Sequence, residues 1–451
     1  MASLQRLKDV YRSLPPWMTA VVKYVPNGVL FGRSYRRCSP CVDIGCLGVN
    51  LKDTLDYARA HTEWGRERIP SVVAVNDVED LVRTLPLVSS ADLHRNPGAY
   101  VSDEATNMNS YWTTTGETGR NPTSVRLSNA SFGIEWKHMH FIWNSAGCPY
   151  DRTKDLKLTF RGYHFKSGEI IRFDPIYNEI SVDPFQLTNE TFQQFYVAIA
   201  RRRISCIHGY PSLIKLFMER LADMGLPFHV KLIMLASEGA STELKKQMAD
   251  FFGGKVVTWY GLTEKVVLAY DSNVTGRYVN FSSYGYPWIF NPDENGVGEI
   301  VGTTFVNKAM PLVNYLTGDY GRVVKEDGRM YIEQVQGRTG KDYIYDDVGN
   351  KYPATGVNLP AKIQEKIVFN QVIQDFPGAI RVTYLPRSSY LGEQDEIARQ
   401  IKLHILDLLP QFSVSVIAVK SEGEFLRSKR GKFIMLVQNV RNVNNLTGGG
   451  G

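Results

Sequence analysis

The run Thr113-Thr114-Thr115-Gly116-Glu117-Thr118-Gly119-Arg120-Asn121-Pro122 gathers hydroxyls, glycines and one cation into a short segment with almost no apolar content. Its chemistry is that of an anion site. Glycines let backbone N–H groups approach an anion without a Cβ in the way, threonine hydroxyls add donors, and an arginine offers a charged fork to phosphate oxygens. The same composition also suits a plain connector between a strand and a helix. The Gly-Lys-Ser/Thr ending of the common P-loop is missing. Downstream, Ala236-Ser237-Glu238-Gly239-Ala240, Trp259-Tyr260-Gly261-Leu262-Thr263-Glu264, Tyr315-Leu316-Thr317-Gly318-Asp319 and Gly337-Arg338 each set polar groups where a strand is expected to run out. Arg427-Ser428-Lys429-Arg430-Gly431-Lys432 closes the series. Together they supply what a nucleotide needs: phosphate donors, an aromatic face for a base, a carboxylate for a metal, another for a ribose diol, and cations.

These side chains require a scaffold, and the middle of the chain predicts one. Asn189 to Arg203 has helical spacing with a basic end, and Pro211 starts a second helix that Gly225 stops. Lys231 to Ala236 reads as a short strand, Ser241 to Phe252 as a helix stopped by Gly253-Gly254, and Lys255 to Tyr260 as a β-branched strand. Alternation of this kind predicts an α/β fold, a parallel-type sheet layered with helices, whose ligands bind at the carboxyl ends of the strands. After about residue 290, Gly298 to Thr304, Arg322 to Lys325 and Met330 to Gln334 are short strands separated by Gly-containing turns, which predicts a small antiparallel or barrel-like β-rich subdomain up to 336. Residues 343–446 read as a small α+β module: a helix around Leu359 to Val372, a strand near Ala379 to Tyr384, a helix at Glu396 to Leu409 and a strand at Val414 to Val419. The closing residues 447–451 read as a tail.

The length of 451 residues exceeds one compact core on the usual scale of roughly 100 to 200 residues per domain. Hydrophobic residues at 43% and charged residues at 22% are those of a folded globular chain rather than a disordered one. The formal charge of +6 is mild, and no basic stripe points to nucleic acid. Five cysteines without regular spacing favour a reducing compartment, with the cytoplasm as the expectation. Cys38, Cys41 and Cys46 lack a fourth ligand for structural zinc and read as free thiols. No signal peptide and no membrane span is expected; Trp17 to Phe31 is apolar enough for a core-facing helix.

The ordered set of motifs resembles the acyl-adenylate-forming (AMP-binding) superfamily, and within it the phenylacetate-CoA ligase-like branch that includes proteins of capsular and lipopolysaccharide biosynthesis. His208-Gly209-Tyr210-Pro211-Ser212 and the segment around Tyr57 to Asp92 add to the likeness, which covers most of the chain. The resemblance implies a two-step ligase using ATP and magnesium. A small carboxylic acid is activated as an acyl-adenylate with release of pyrophosphate, then passed to coenzyme A or a carrier thiol, or else to an amine. It implies that Thr114, Thr115, Gly116, Thr118, Gly119 and Arg120 cradle the β and γ phosphates. Thr263 would contact the α-phosphate and Glu264 would hold magnesium. Tyr260, flanked by Trp259 and Gly261, would lie against adenine, with Glu238, Gly239 and Ala240 along the ring edge, and Asp319 would take the ribose hydroxyls. Arg338 would join the nucleotide site. Lys432 would offset the repulsion between carboxylate and α-phosphate, although by composition alone it is a solvated lysine in a basic run.

On the same resemblance, residues 1–336 form the adenylation domain, 337–342 a hinge centred on Lys341 or Asp342, and 343–446 a mobile C-terminal domain that carries Lys432. His208, Gly209, Tyr210 and Tyr150 border the acyl pocket, with Trp143 and Cys148 in the same region. A structural histidine at a helix start is the competing reading of His208. Glu117, Asn314 and Leu316 depart from the family pattern: Glu117 sets a carboxylate beside phosphate, and the other two replace arginines. Val323 to Gln336 has none of the cysteines that some relatives carry, so no zinc is expected. A catalytically silent nucleotide-binding homologue is the reading of another class.

Overall fold

The computed structural model describes residues 22–71, 78–115, 123–163, 165, 169–336, 343–353, 359–364, 366–421, 424–426 and 436–440. β1 (Ser110–Thr114) and β2 (Ser124–Ser128) pair antiparallel as a separate hairpin. The body is one mixed sheet of β3 (Leu156–Phe160), β4 (Ile171–Asp174), β5 (Glu179–Val182), β6 (Ile204–Gly209), β7 (Leu232–Leu235), β8 (Lys255–Gly261), β9 (Leu268–Asp271), β10 (Tyr278–Asn280), β11 (Gly285–Phe290), β12 (Gly298–Thr304), β13 (Tyr315–Glu326) and β14 (Arg329–Gln336). Its order is β11-β12-β13-β14-β10-β9-β8-β7-β6-β3-β5-β4. β5, β3, β6, β7 and β8 run parallel, while β9 to β14 continue the sheet antiparallel. The strands expected after residue 290 are therefore antiparallel, as read, but extend the main sheet instead of closing a barrel beside it.

Helices cover the parallel half because their sequences bury one stripe. The helix Pro211–Asp223 begins with proline and packs Leu213, Ile214, Phe217 and Leu221 into the core with Leu158, Phe160, Ile207 and Ile233 of the sheet. Thr242–Phe252 starts where Ser241 Oγ accepts the Leu244 N–H at 3.1 Å, and it ends on Gly253 at φ 67°. Helix Asn129–Asn144 follows β2 directly, capped by Ser128, whose Oγ accepts from Ser131 N–H at 3.2 Å. The Thr/Gly run therefore joins two strands of a hairpin rather than a strand and a helix. Of the apolar stretch Trp17 to Phe31, residues before 22 lie outside the described ones; of the rest, Val22 is helical and Asn27–Leu30 forms a short helix. Phe31 then buries itself by stacking on Trp136 at 4.7 Å. In the described part the helix does not run on through 23–26.

The C-terminal module has its own core. A hairpin of β15 (Tyr343–Tyr345) and β16 (Lys351–Pro353) precedes β17 (Ile367–Phe376), β18 (Ala379–Pro386), β19 (Ser413–Ala418) and β20 (Leu436–Gln438), which pair in the order β19-β18-β17-β20. The helix Gln394–Leu408 buries Ile397, Ile401, Ile405 and Leu408 against them. One expectation is corrected here: Leu359 to Val372 is not a helix. Only Ala361–Gln364 is helical, and β17 starts at Ile367, because its Ile, Val and Phe residues pair on both edges, antiparallel with β18 and parallel with β20. Long-range pairing of β-branched residues overrides the local apolar spacing. The tail from 447 lies outside the described residues.

Candidate active site

The carboxyl ends of β6, β7 and β8 lie side by side and carry His208, the Ala236 to Ala240 turn, and Trp259 with Tyr260. Gly209 ends β6 at φ 146°, with its Cα so close to β3 that a Cβ would sit 1.9 Å from Phe160 O. Only glycine lets Tyr210 N–H reach Phe160 O at 2.9 Å there and turn the chain into the next helix. In the turn after β7, Ser237 is left-handed at φ 69°, and Glu238 Oε2 accepts the Ser212 N–H at 3.1 Å. That bond ties the turn with Gly239 and Ala240 to a helix N-terminus.

Tyr260 and Asp319 meet directly. The phenol donates to Asp319 Oδ2 at 3.0 Å. Burial, then the Asp319 charge, pushes the Tyr260 pKa well above its ordinary 10, so the phenol stays a donor. Asp319 is aimed by an irregularity: Glu299 pairs with Tyr320 and Val301 with Leu316, so Ile300 opposes Thr317, Gly318 and Asp319 together. Thr317 Oγ1 donates to Ile300 O at 2.7 Å and accepts from Asp319 N–H at 3.2 Å, while Gly318 N–H reaches Glu299 Oε1 at 3.1 Å. Gly318 makes the bulge possible with φ 76°.

Glu264, in the turn between β8 and β9, is 3% exposed and accepts a 2.8 Å hydrogen bond from Tyr315 Oη, itself 1% exposed. Thr263 precedes it in that turn. Tyr315 is held through Val88, whose N–H donates to Asn314 O at 2.9 Å and whose carbonyl accepts Leu316 N–H at 2.8 Å. Asn314 is fully buried at φ 54°, donates to Val82 and Leu85 carbonyls, and accepts Trp288 Nε1–H at 3.0 Å. Asn314 thus serves the frame that holds Tyr315.

The same segment reaches the hairpin. His94 Nε2 lies 3.5 Å from Thr123 Oγ1. Thr115 N–H donates to Thr123 O at 2.9 Å, and Thr123 N–H returns to Thr115 Oγ1 at 3.0 Å, which closes the stem from which residues 116–122 depart. Thr114 pairs with Ser124 and faces solvent. Trp112, Val125 and Leu127 of the hairpin share one core cluster with Tyr260, Leu262, Val266 and Tyr315. The hairpin thus packs into the same core as Tyr260 and Tyr315, the partners of Asp319 and Glu264. Gly116, Glu117, Thr118, Gly119, Arg120, Arg338, Lys341, Asp342 and Lys432 lie outside the described residues.

Beside this group lies a buried cluster of aromatic and charged side chains. Trp259 stacks on His208 at 5.7 Å, and Trp143 contacts His208 edge-on at 5.9 Å and Tyr150 at 5.0 Å. Lys157 is 1% exposed, 3.3 Å from Glu179, and 4.9 Å over the Trp143 ring. Arg161 donates to His208 Nε2 at 3.0 Å. Burial, then Arg161 and Lys157, holds the His208 pKa well below 6.5. The sequence reading placed His208, Gly209, Tyr210 and Tyr150 together but missed Lys157, Arg161 and Glu179. A charge interrupting the apolar strand Leu156-Lys157-Leu158 was the signal for them.

Magnesium fits Glu264 by donor type. The ion commonly takes one or two carboxylates plus substrate phosphates, and the Tyr315 hydroxyl orients this carboxylate as an outer-shell partner would. Among the described residues no group of three or more His, Cys, Asp or Glu is placed to hold a metal. All five cysteines are free, and no described helix is long and apolar enough to cross a membrane.

No protein-family model matches the chain, and no curated protein matches its sequence. Among solved structures, the chain is similar to 2-hydroxyisobutyryl-CoA ligase in complex with 2-HIB-AMP and CoA in the thioesterification state, at 15% identity and TM-score 0.51 over 95% of this chain and 94% of that one. The same ligase in the postadenylation state with R3-HIB-AMP matches at 14% identity and TM-score 0.49 over 97% and 95% of the two chains. The GH3.15 acyl acid amido synthetase matches at 13% identity and TM-score 0.42 over 88% and 92%. The last two are too distant to carry an argument. The first shows that this chain has the fold of an adenylate-forming ligase.

Proposed function

We propose that this chain activates a carboxylic acid with ATP and passes the acyl group to a thiol, that of coenzyme A or a carrier. In the first step a carboxylate oxygen attacks the α-phosphorus, the bond from that phosphorus to the bridging oxygen breaks, and pyrophosphate leaves. In the second, a thiol attacks the acyl carbonyl, loses its proton, and AMP departs. One observation carries the reading: Tyr260 and Asp319, 59 residues apart, and Glu264 and Tyr315, 51 apart, are joined by hydrogen bonds in the same core that anchors the Thr115–Thr123 stem.

Tyr260 flanks adenine with Trp259 and Gly261 beside it, Glu238 to Ala240 line the ring edge, and Asp319 accepts from the ribose hydroxyls. Thr263 contacts the α-phosphate. Glu264 holds magnesium, which when bound neutralises phosphate charge. Thr114, Thr115, Gly116, Thr118, Gly119 and Arg120 cradle the outer phosphates, and Arg338 adds a cation. Lys432 places an ammonium between the two reacting anions, and a swing of the C-terminal module about Lys341 or Asp342 withdraws it before thiol attack.

Exchange of labelled pyrophosphate into ATP, run with a panel of carboxylic acids, tests the first step. Acid-dependent exchange that disappears in Lys432→Ala is expected. Tight ATP binding with no exchange for any acid would instead identify a silent nucleotide-binding homologue. AMP release compared between coenzyme A and amines tests the second step, and faster release with amines would replace thiol transfer by amide formation.

A further inference from the structure

Three buried hydrogen-bond donors around one indole ring have no partner among the described residues: Trp143 Nε1, Tyr150 Oη and His208 Nδ1. The histidine is a donor at that atom because its Nε2 is occupied. A guanidinium only donates, so Arg161 at 3.0 Å fixes Nε2 as the acceptor and leaves the proton of the neutral ring on Nδ1. The three residues are 2%, 8% and 3% exposed. Native interiors pair the large majority of such groups, and several unpaired ones in one cluster point to a ligand that completes them. Lys157, 4.9 Å over the Trp143 ring and 5.7 Å from that of Tyr150, adds positive potential to the same place.

The cluster adjoins the candidate nucleotide site. His208 lies one residue before the end of β6, and its ring stacks on Trp259, the neighbour of Tyr260. We infer that the acid this protein activates carries a hydrogen-bond acceptor on its body, a hydroxyl, ether or carbonyl oxygen, and that Trp143, Tyr150 and His208 donate to it. This rests on the adenylation reading above. Aromatic walls cover the rest of the acyl group, so the substrate class is an acid with an apolar body and an internal oxygen acceptor rather than a plain hydrocarbon acid. A hydrocarbon would leave the donors unpaired, which is the kind of mismatch that polar pockets reject most strongly.

The test is pyrophosphate exchange with the full chain and matched pairs of acids: hydroxy-, methoxy- and oxo-substituted arylalkanoates or alkanoates, each beside its unsubstituted partner. At least one oxygenated acid is expected to exceed its partner in kcat/KM by about tenfold or more, the size of one good hydrogen bond. Tyr150→Phe and Trp143→Phe keep a ring and remove a donor. They should raise KM for the preferred acid about tenfold and narrow its lead over the unsubstituted partner, with ATP KM changing far less. Equal use of both members of every pair overturns the inference while adenylation stands. So does a loss of thermal stability in both variants without change in preference, which would mean that the donors serve buried water. Exchange with no acid of either kind overturns the adenylation reading and this inference with it.

Discussion

The phenol of Tyr260 is hydrogen-bonded to the carboxylate of Asp319 at 3.0 Å, which places the aromatic face and the acid of the candidate nucleotide site on one rigid unit. Asp319→Ala removes a charged acceptor and should weaken AMP binding by about 1.5–3 kcal/mol, roughly tenfold to more than a hundredfold. Tyr260→Phe keeps the ring and loses only the positioning bond, so its effect should be smaller. Calorimetric titration with AMP measures both, and the reverse order would remove Asp319 from the ribose contact.

Tyr315 acts through Glu264. Tyr315→Phe deletes the hydroxyl that fixes the carboxylate. The loss of such an outer-shell partner commonly costs 10- to 100-fold in metal affinity, about the change expected in the magnesium concentration needed for half-maximal exchange. Binding of AMP without magnesium should be unaffected. An unchanged magnesium requirement would take Glu264 out of the metal site.

Gln371 holds Leu426 by two hydrogen bonds. Its side-chain amide donates to Leu426 O at 2.8 Å and accepts Leu426 N–H at 3.0 Å, while the next residue, Val372, pairs with Leu436. Leu426 and Leu436, the described residues on either side of 427–435, are thus bonded to adjacent residues of β17. Lys432→Ala should slow adenylation about a hundred- to a thousandfold, as removal of other preorganised electrostatic groups does. Gln371→Leu should slow the same step by a smaller factor and leave AMP affinity intact. If Gln371 works through Lys432, the double variant is no slower than Lys432→Ala alone; additive losses would contradict it.

Acid should destabilise the fold through buried histidines. Burial lowers His138 to about 4 and His140 to about 3 from 6.5, and His208 shifts the same way. Below about pH 6.5 the unfolded chain takes up protons that the folded one refuses, so stability falls as pH drops, by up to about 1.4 kcal/mol per pH unit for each histidine. The loss levels off as pH passes below the folded-state values. Urea midpoints between pH 7 and 5 should show this fall, less steeply in His140→Phe. A midpoint independent of pH, or an unaltered slope in the variant, would contradict it.

What the sequence determined by itself was local. Proline and glycine punctuation placed the helices Pro211–Asp223 and Thr242–Phe252, and β-branched runs placed β7, β8 and β12. The end of β8 then marked Tyr260 and Glu264 as candidate site residues, whereas Tyr315 to Asp319, expected where a strand runs out, opens β13 instead. The tertiary structure decided what depends on partners far away in the chain. It made 367–376 a strand by pairing both its edges, folded the Thr/Gly stem as a hairpin through Thr115 and Thr123, and turned Asn314 into a buried strut. It also gathered Lys157, Arg161, Glu179 and His208 into one buried group. Strand pairing and burial of polar side chains are long-range choices, settled by which surfaces meet, and no window of neighbouring residues contains them.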